Sequence, residues 1–389
     1  MPIDPGIAQF AITERQREYI EAAVKHGSFR SAAKALGVDE STVRNSVKGA
    51  KRRAEIRGYA PEHDLVHPSA PGFVVKGTST LYDETGNVSQ QWVKTSLSDE
   101  ARLLAAQEAV EALKETLPCV KPVKAPQRTH SDLLNLYVVT DYHLGMRAWP
   151  EETRGAAWDT DIAEDLLSRW IDAGIVQSPD AEHGVLALMG DFLHWDGLDA
   201  VTPTNRYVLD ADTRFQRVVR VAIRVIRRIV ARLLTKHARL TLIIAEGNHD
   251  PASSIWMREL FHAHYDSEPR IAVDASADPF YCVEFGAVAL FFHHGHKRAF
   301  GSVDAVLSAK FREVFGRTKH AFAHTGHYHS LKVSETPLMV VEQHRTLASP
   351  DAYSSRHGYS SGRDASVITY HATHGCVGRV IISPEMVVA

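Results

Sequence analysis

The sequence predicts an α/β protein: a layered β-sandwich flanked by helices, preceded by a small all-α unit and a β-hairpin/helix connector. Three observations predict it. From Leu133 onward, apolar strand-like runs alternate with amphipathic helix-length segments. Residues 13–57 carry helical spacing only. Histidine is crowded, with twelve of 22 between His237 and His344, where an even spread would place about six, so a metal site is one reading to test by spacing.

At 389 residues the chain has room for two or three domains. Apolar residues make up 44% and charged residues 23%, as in globular proteins. No apolar run reaches membrane-spanning length, so no membrane partner is expected. Cys119, Cys282 and Cys376 are too scattered for a disulfide framework or a zinc site. The opening residues show no basic stretch followed by an apolar core, so a reducing, cytoplasmic location is expected. Charge is unevenly spread. Residues 1–60 hold eleven Lys/Arg against seven Asp/Glu, a local +4 in a chain of formal charge −3, which leaves −7 on the rest.

Three regions follow, with boundaries at 1–60, 61–130 and 131–389. In the first, Thr13 precedes a run with Tyr19, Ile20, Ala23 and Val24 at helical spacing, and Gly27 breaks it. Phe29, Ala32, Ala33 and Leu36 share one face of a second helix. Gly37 supplies a turn, Asp39 or Ser41 can cap a third helix, and Val38, Val43 and Val47 face inward. In the second region, residues 72–96 alternate as a hairpin around a turn at Asp83–Asn87. Ser98–Thr116 reads as an amphipathic helix, and prolines at 118, 122 and 126 mark a semi-rigid linker. In the third, strands are expected at 136–140, 185–189, 240–245, 281–285, 288–293, 320–324, 338–342, 366–370 and 378–382. Helices are expected at 161–173, 212–236, 253–264 and 303–315.

Five of these strands end in Asp, Asn or His, often beside glycine. The endings are Asp141-Tyr142-His143, Gly190-Asp191-Phe192-Leu193-His194, Gly247-Asn248-His249-Asp250, His294-Gly295-His296 and Gly326-His327-Tyr328-His329. Open α/β sheets place ligands at strand C-termini. Carboxylate, imidazole and amide donors without thiolate suit Mn, Fe, Zn or Ni. A shared carboxylate can hold two ions about 3.5–4 Å apart and clamp a phosphoryl group.

This ordered set resembles the calcineurin-like metallophosphoesterase superfamily, over about half the chain, from Asp141 to His329. The resemblance implies two divalent metal ions, Mn preferred, with Fe, Zn, Ni or Mg also admissible. It implies that Asp141, His143 and His329 bind one ion, that Asn248, His294 and His327 bind the other, and that Asp191 bridges both. A hydroxide between the ions would attack phosphorus in line, and His249 would protonate the leaving group. Asp250 is grouped with His249 and His194 as a catalytic candidate. His293 and His296 are read as supports of the site or as surface residues.

The second motif lacks the arginine that grips a phosphate monoester in phosphoprotein phosphatases. With His194, it looks like that of SbcD-type DNA repair nucleases. His194 then either helps place a nucleic-acid strand or only partners His249. Fewer residues follow His329 than a full capping domain needs, so an ATPase partner of the SbcD kind is left open. The polar segment 345–365 is expected to loop over the site. Its Arg345, Arg356 and Arg363 are read as solvated surface, with phosphate contact as the alternative.

Residues 28–53 resemble a helix-turn-helix. That implies base contacts from Ser41, Thr42, Arg44 and Asn45, and phosphate contacts from Lys48, Lys51, Arg52 and Arg53; the plain alternative is a helical bundle with a solvated basic face. The combination is phage-like. The leading expectation is a two-metal phosphodiesterase acting as an exonuclease-like DNA nuclease, with a homo-oligomer possible. The alternatives are a phosphatase or cyclic-nucleotide phosphodiesterase with an assembly domain, and a DNA-binding regulator with an inactive metal site.

Overall fold

The computed structural model describes residues 3–59, 73–82, 88–97 and 123–387. The expected turn at 83–87, the expected helix at 98–116 and linker residues 117–122 lie outside the described residues. The chain divides into two compact units, Met1–Thr116 and Leu117–Ala389. Among the described residues no helix is long and apolar enough to cross a membrane.

The first unit begins with a 3-10 turn, Pro5–Phe10, then α1 (Glu14–His26), α2 (Phe29–Leu36) and α3 (Glu40–Ile56). The Thr13 hydroxyl caps α1 by accepting from Gln16 N, and the Ser28 hydroxyl caps α2 by accepting from Ser31 N. Gly27 and Gly37 end these helices in the left-handed region, at φ 68° and 65°. Asp39 is the N-cap of α3 without a side-chain hydrogen bond. Ile20, Ala23, Ala32, Ala33, Val43, Val47, Ala50 and Ala54 form the core, and its many alanines let the helices approach closely. Strands β1 (Phe73–Tyr82) and β2 (Val88–Leu97) pair antiparallel.

The second unit carries β3 (His130–Val139), α4 (Pro150–Thr153), α5 (Thr160–Gln177), β4 (Ala181–Met189), α6 (Phe215–Lys236), β5 (Arg239–Ala245) and α7 (Pro251–His264). It continues with β6 (Ile271–Val273), β7 (Tyr281–Phe285), β8 (Val288–Phe292), α8 (Val303–Lys310), α9 (Arg312–Arg317) and β9 (His320–Thr325). Strands β10 (Lys332–Glu335) and β11 (Val340–Gln343), then α10 (Ala352–Arg356), β12 (Ala365–His371) and β13 (Gly375–Ile382), complete it. One sheet has the order β13-β12-β3-β4-β5-β6, and the other β10-β11-β9-β8-β7. Strands β3 to β6 run parallel, as do β8, β9 and β11.

The period of two along each strand builds the layers. Leu134, Leu136 and Val138 of β3, Val185, Ala187 and Met189 of β4, and Val288, Leu290 and Phe292 of β8 meet between the sheets. Tyr137, Val139, Leu186 and Leu188 point the other way, onto α5, α6 and α7. Ala289 and Phe291 face Val303 and Leu307 of α8. The order is therefore helix, sheet, sheet, helix. Both faces of the central strands are buried, which explains their near-continuous apolar runs.

The expected helix at 303–315 is two helices that meet at Phe311, whose ring turns in against Phe291 at 5.7 Å between centroids. Strands β6 and β10 and helices α4 and α10 were not among the expected elements. Each has three to five residues, too few to carry a period.

Candidate metal centre

The motif-bearing loops leave the C-terminal ends of β3, β4, β5, β8 and β9 and are stitched together there. Asp141 N donates to Gly190 O (3.1 Å), His143 N to Asp191 O (2.9 Å) and Gly326 N to His294 O (2.8 Å). His249 N donates to Asp191 Oδ1 (2.7 Å) and His327 N to Asp141 Oδ2 (2.9 Å). The approach is close enough to require glycine. A Cβ on Gly247 would lie 1.9 Å from Asp191 Oδ1, and one on Gly326 would lie 1.9 Å from Thr140 Oγ1.

Two sets of side chains converge, Asp141/His143/His329 and Asp191/His294/His327, with the donor atoms of each set within 4.8 Å of one another. His329 Nε2 lies 3.3 Å from Asp141 Oδ1 and His294 Nε2 lies 3.2 Å from Asp191 Oδ2. His294 Nε2 is also 3.9 Å from Asp141 Oδ1, which links the sets. Asn248 Oδ1 joins the second set at 3.3 Å from His294 Nε2. His293, by contrast, stacks on Phe280 (4.4 Å) away from the donors, and His296 lies beside the His294 and His327 rings at 5.2 and 6.4 Å.

The backbone at these donors is unusual. Seven described residues other than glycine have positive φ, and five of them are Asp141 (51°), His143 (48°), Asp191 (49°), His327 (74°) and His329 (53°). A side chain in this region costs about 1 kcal/mol or more at each position. Backbone hydrogen bonds hold Asp141, His143, Asp191 and His327 there.

The donor set fits divalent cations. Asp141 and Asp191 are buried carboxylates, and Asp141 Oδ1 has no hydrogen-bond partner. Burial pushes both acids up, but the His329 and His294 charges beside Asp141, and the His294 and His249 charges beside Asp191, hold both below the usual carboxylate range. Burial, with His249 and His329 nearby, pushes His143 down to about 3, so it is a neutral imidazole, the form that ligates. The Nδ1 atom of His294 is bonded to Met189 O (2.8 Å), which directs Nε2 into the cluster. Imidazole and carboxylate without thiolate match Mn, Fe, Zn or Ni.

His249 and His194 sit beside the first set. His249 Nδ1 is 2.8 Å from His194 O, so Nδ1 carries a hydrogen and donates it. The His194 ring stacks on His249 (5.6 Å, 20°), and its Nδ1 lies 3.2 Å from His143 Nδ1. Burial, followed by the His143 and His249 charges, lowers His194 well below its ordinary range. Asp250 is placed differently. Its oxygens accept from Asp191 N (3.1 Å), Leu193 N (3.0 Å) and Gly247 N (3.0 Å), so it ties the second motif to the third.

Several supports carried no sequence signal of their own. Thr140 Oγ1 donates to Asp141 Oδ2 and Thr346 Oγ1 to Asp141 O, both at 2.6 Å. Asp196 accepts from Ala252 N (2.6 Å) and Ser253 N (2.7 Å) at the start of α7. The first and last of these flank known motifs, and proximity was the available clue. Thr346 lies in the polar segment after β11, where nothing distinguishes it. That segment's arginines are engaged within the protein. Arg345 pairs with Asp364 (2.7 Å), Arg356 with Glu152, and Arg363 donates to Leu347 O (2.7 Å) over the Trp158 ring.

A second buried cluster lies between β9 and β11. His324 Nδ1 and His344 Nε2 are 2.9 Å apart, Tyr370 Oη is 3.0 Å from His324 Nε2, and His344 Nδ1 is 3.5 Å from Glu342 Oε1. Arg379 holds the Glu342 carboxylate with both nitrogens of its fork, one at 2.6 Å. In the first unit, Ser41, Thr42, Arg44, Asn45, Lys48, Lys51 and Arg52 of α3 are exposed. Arg44 pairs with Glu40, and half-buried Arg53 donates to Phe10 O (2.8 Å) and Gln16 Oε1 (2.7 Å), inside the helical unit.

No family model and no curated protein sequence matches the chain. Among solved structures, a predicted phosphoesterase from Streptococcus pneumoniae is similar at 9% identity and TM-score 0.28, covering 65% of this chain and 99% of that one. A dimetal phosphatase from Danio rerio is similar at 9% identity and TM-score 0.34, covering 64% and 98%. Vps29 of Entamoeba histolytica, solved with zinc, is similar at 10% identity and TM-score 0.25, covering 65% and 99%. Scores this low say nothing about residue roles, which follow from this chain's own geometry: two sheets flanked by helices, with clustered Asp and His donors at the strand ends.

Proposed function

We propose that the chain is a two-metal-dependent phosphodiesterase of the calcineurin-like kind, acting on DNA as a nuclease. One observation carries the reading. Seven side chains from five strand ends converge as two adjoining donor sets, and five of them hold a left-handed backbone. Asp141, His143 and His329 would hold one ion, and Asn248, His294 and His327 the other. Asp191 is assigned between them, since its charge bears on both His143 and His294. Bound there, divalent ions would neutralise phosphoryl oxygens and make a neighbouring water more acidic.

The chain's own groups supply orientation and a proton. With Nδ1–H donated to His194 O, His249 presents Nε2 for transfer to the leaving oxygen. The neutral His194 ring stacks on it and fixes its plane. Asp250 keeps the Asp191 and His249 loops in register. The motif Gly190-Asp191-Phe192-Leu193-His194 offers no arginine to grip a terminal phosphate, which favours a diester over a monoester. The exposed polar and basic face of α3 is assigned to DNA, where it would give salt-dependent affinity.

Metal analysis beside a substrate panel tests this. Mn²⁺-loaded protein is expected to cleave bis(p-nitrophenyl) phosphate and DNA and to lose both activities in EDTA. Activity confined to p-nitrophenyl phosphate would replace the diesterase with a phosphatase, and activity confined to cyclic nucleotides would remove DNA. His249→Ala is expected to keep its metals and lose roughly 10²–10⁴-fold in kcat.

A further inference from the structure

A ladder of three exposed rings stands on α10 and its C-terminal cap, in the segment that follows β11. Tyr353 and His357 are 4.1 Å apart between centroids, His357 and Tyr359 are 5.9 Å apart and stacked at 15°, and Tyr353 and Tyr359 are 6.4 Å apart. Their arrangement is built by the backbone. Tyr359 N donates to Ser354 O, Gly358 N donates to Ser355 O, and Gly358 takes φ 72°. This is the Schellman ending of a helix, in which the residue after the left-handed glycine folds back onto the residue before the last turn. Tyr359 folds onto Tyr353 in this way, and His357 Nδ1 donates to Tyr353 O at 2.8 Å.

Such a fold-back contact ordinarily serves to bury apolar surface. Here it does not, since Tyr353 is 59% and Tyr359 62% exposed. The cap explains why the rings are together and leaves open why they face water. The segment is also pinned to the Asp141 loop at one point and to α4 and the residues after it at two more. Thr346 Oγ1 holds Asp141 O, Ser349 Oγ donates to Ala156 O, and Ser355 Oγ donates to Glu152 O (3.3 Å). Tyr353 lies seven positions after Thr346, so the chain itself keeps the Tyr353 backbone within roughly 25 Å of Thr346. Asp351, two residues before that ring, lies close enough for its charge to bear on both His194 and His329. About seven stacked nucleotides at ~3.4 Å each, or fewer extended ones, span the longest gap this allows.

We propose that the Tyr353–His357–Tyr359 ladder is a stacking platform for an unpaired nucleobase of the substrate, so that single-stranded DNA or a frayed end is engaged in preference to intact duplex. This rests on the nucleic-acid reading above. Aromatic faces accept any base, because every base has a π-face, whereas paired bases in a duplex have theirs covered. A rigid, preassembled ladder takes on this role at low ordering cost.

The experiment compares wild type, Tyr353→Ala, Tyr359→Ala and Tyr353→Phe in the full-length chain. Readouts are anisotropy of a short fluorescein-labelled single-stranded oligodeoxynucleotide in EDTA, and Mn²⁺-dependent kinetics on that oligonucleotide, its blunt duplex and bis(p-nitrophenyl) phosphate. Each alanine variant is expected to weaken single-strand binding and raise its KM about tenfold. Tyr353→Phe, the duplex KM and the small-diester kcat should stay at wild-type values. Unchanged single-strand KM in both alanine variants overturns the platform while leaving the nuclease intact. Equal losses on all three substrates overturn it too, by showing a purely structural role. Ring-dependent binding without any DNA cleavage keeps the platform and sinks the nuclease.

Discussion

The second unit holds two buried clusters of histidine and carboxylate, and they are built in opposite ways. In the first, around Asp141 and Asp191, donor atoms face each other across 3.2–3.3 Å and Asp141 Oδ1 accepts no hydrogen bond. In the second, around Glu342, every group is used. Tyr370 donates to His324, His324 to His344 and His344 towards Glu342, and Arg379 neutralises the acid. Backbone geometry separates them as well. Five donors of the first cluster are left-handed, and none of His324, Glu342 or His344 is. Residue type is alike, so it does not distinguish a ligand site from a structural network. Access to solvent through His327 and His329, backbone strain and the lack of a paired cation among the described residues do.

The largest effect that sharpens the comparison is on turnover. Asp191→Asn should lower kcat by at least about a thousandfold, equivalent to several kcal/mol of lost charge stabilisation, and reduce bound metal. Glu342→Gln should leave metal content unchanged. It would weaken the Arg379 ion pair and cost about 1 kcal/mol of stability, since exposed Arg379 regains water, read as a slightly lower urea midpoint. If Glu342→Gln instead emptied the protein of metal, the two clusters would be one site. Third, Mn²⁺ at a hundred times its dissociation constant should stabilise the EDTA-treated protein by about 2.7 kcal/mol. The same increment should persist in His344→Gln and vanish in Asp191→Asn.

The last effect is a pH dependence. Burial pushes His324 and His344 down to about 3, helped by the His344 charge beside His324 and by Arg379 near both, and opposed at His324 by Glu342. Below pH 6.5 the unfolded chain takes up protons that the folded cluster rejects. Their contribution is therefore complete above pH 6.5 and is lost as pH falls from there towards 3, by up to about 1.4 kcal/mol per pH unit for each ring. His344→Gln should flatten that acid limb in EDTA. An unchanged slope would mean that the imidazoles are already charged in the fold.

Much of this was legible in the sequence, and the reasons are particular. The strand pattern showed because β3, β4, β5 and β8 bury both faces and so read as unbroken apolar runs. The motifs showed because each donor sits two to four residues past a strand end, where chain order and spatial order agree. The Glu342 network did not show. Its members are scattered over β9, β11, the residue after β11, β12 and β13, and meet through the β9–β11 register and the packing of one sheet on the other. Asp250 was legible as part of a motif but not in its use, since bonding to three backbone amides depends on how two loops pass each other. Histidine crowding was a sound signal whose meaning was mixed: it summed donors, a stacked pair and a structural relay.

The left-handed donors bear on how the protein opens. Loops that store unfavourable torsion are poised to relax before the sheets that carry them, so local opening at 141–146, 190–194 and 326–329 should require less free energy than opening of β3 or β4. A ligand that binds only the closed loops raises that local threshold. Amide hydrogen exchange at these three segments is then a map of occupancy, readable with no substrate in hand. A protein of this design would report its loaded state through the mobility of its loops rather than through any change of fold.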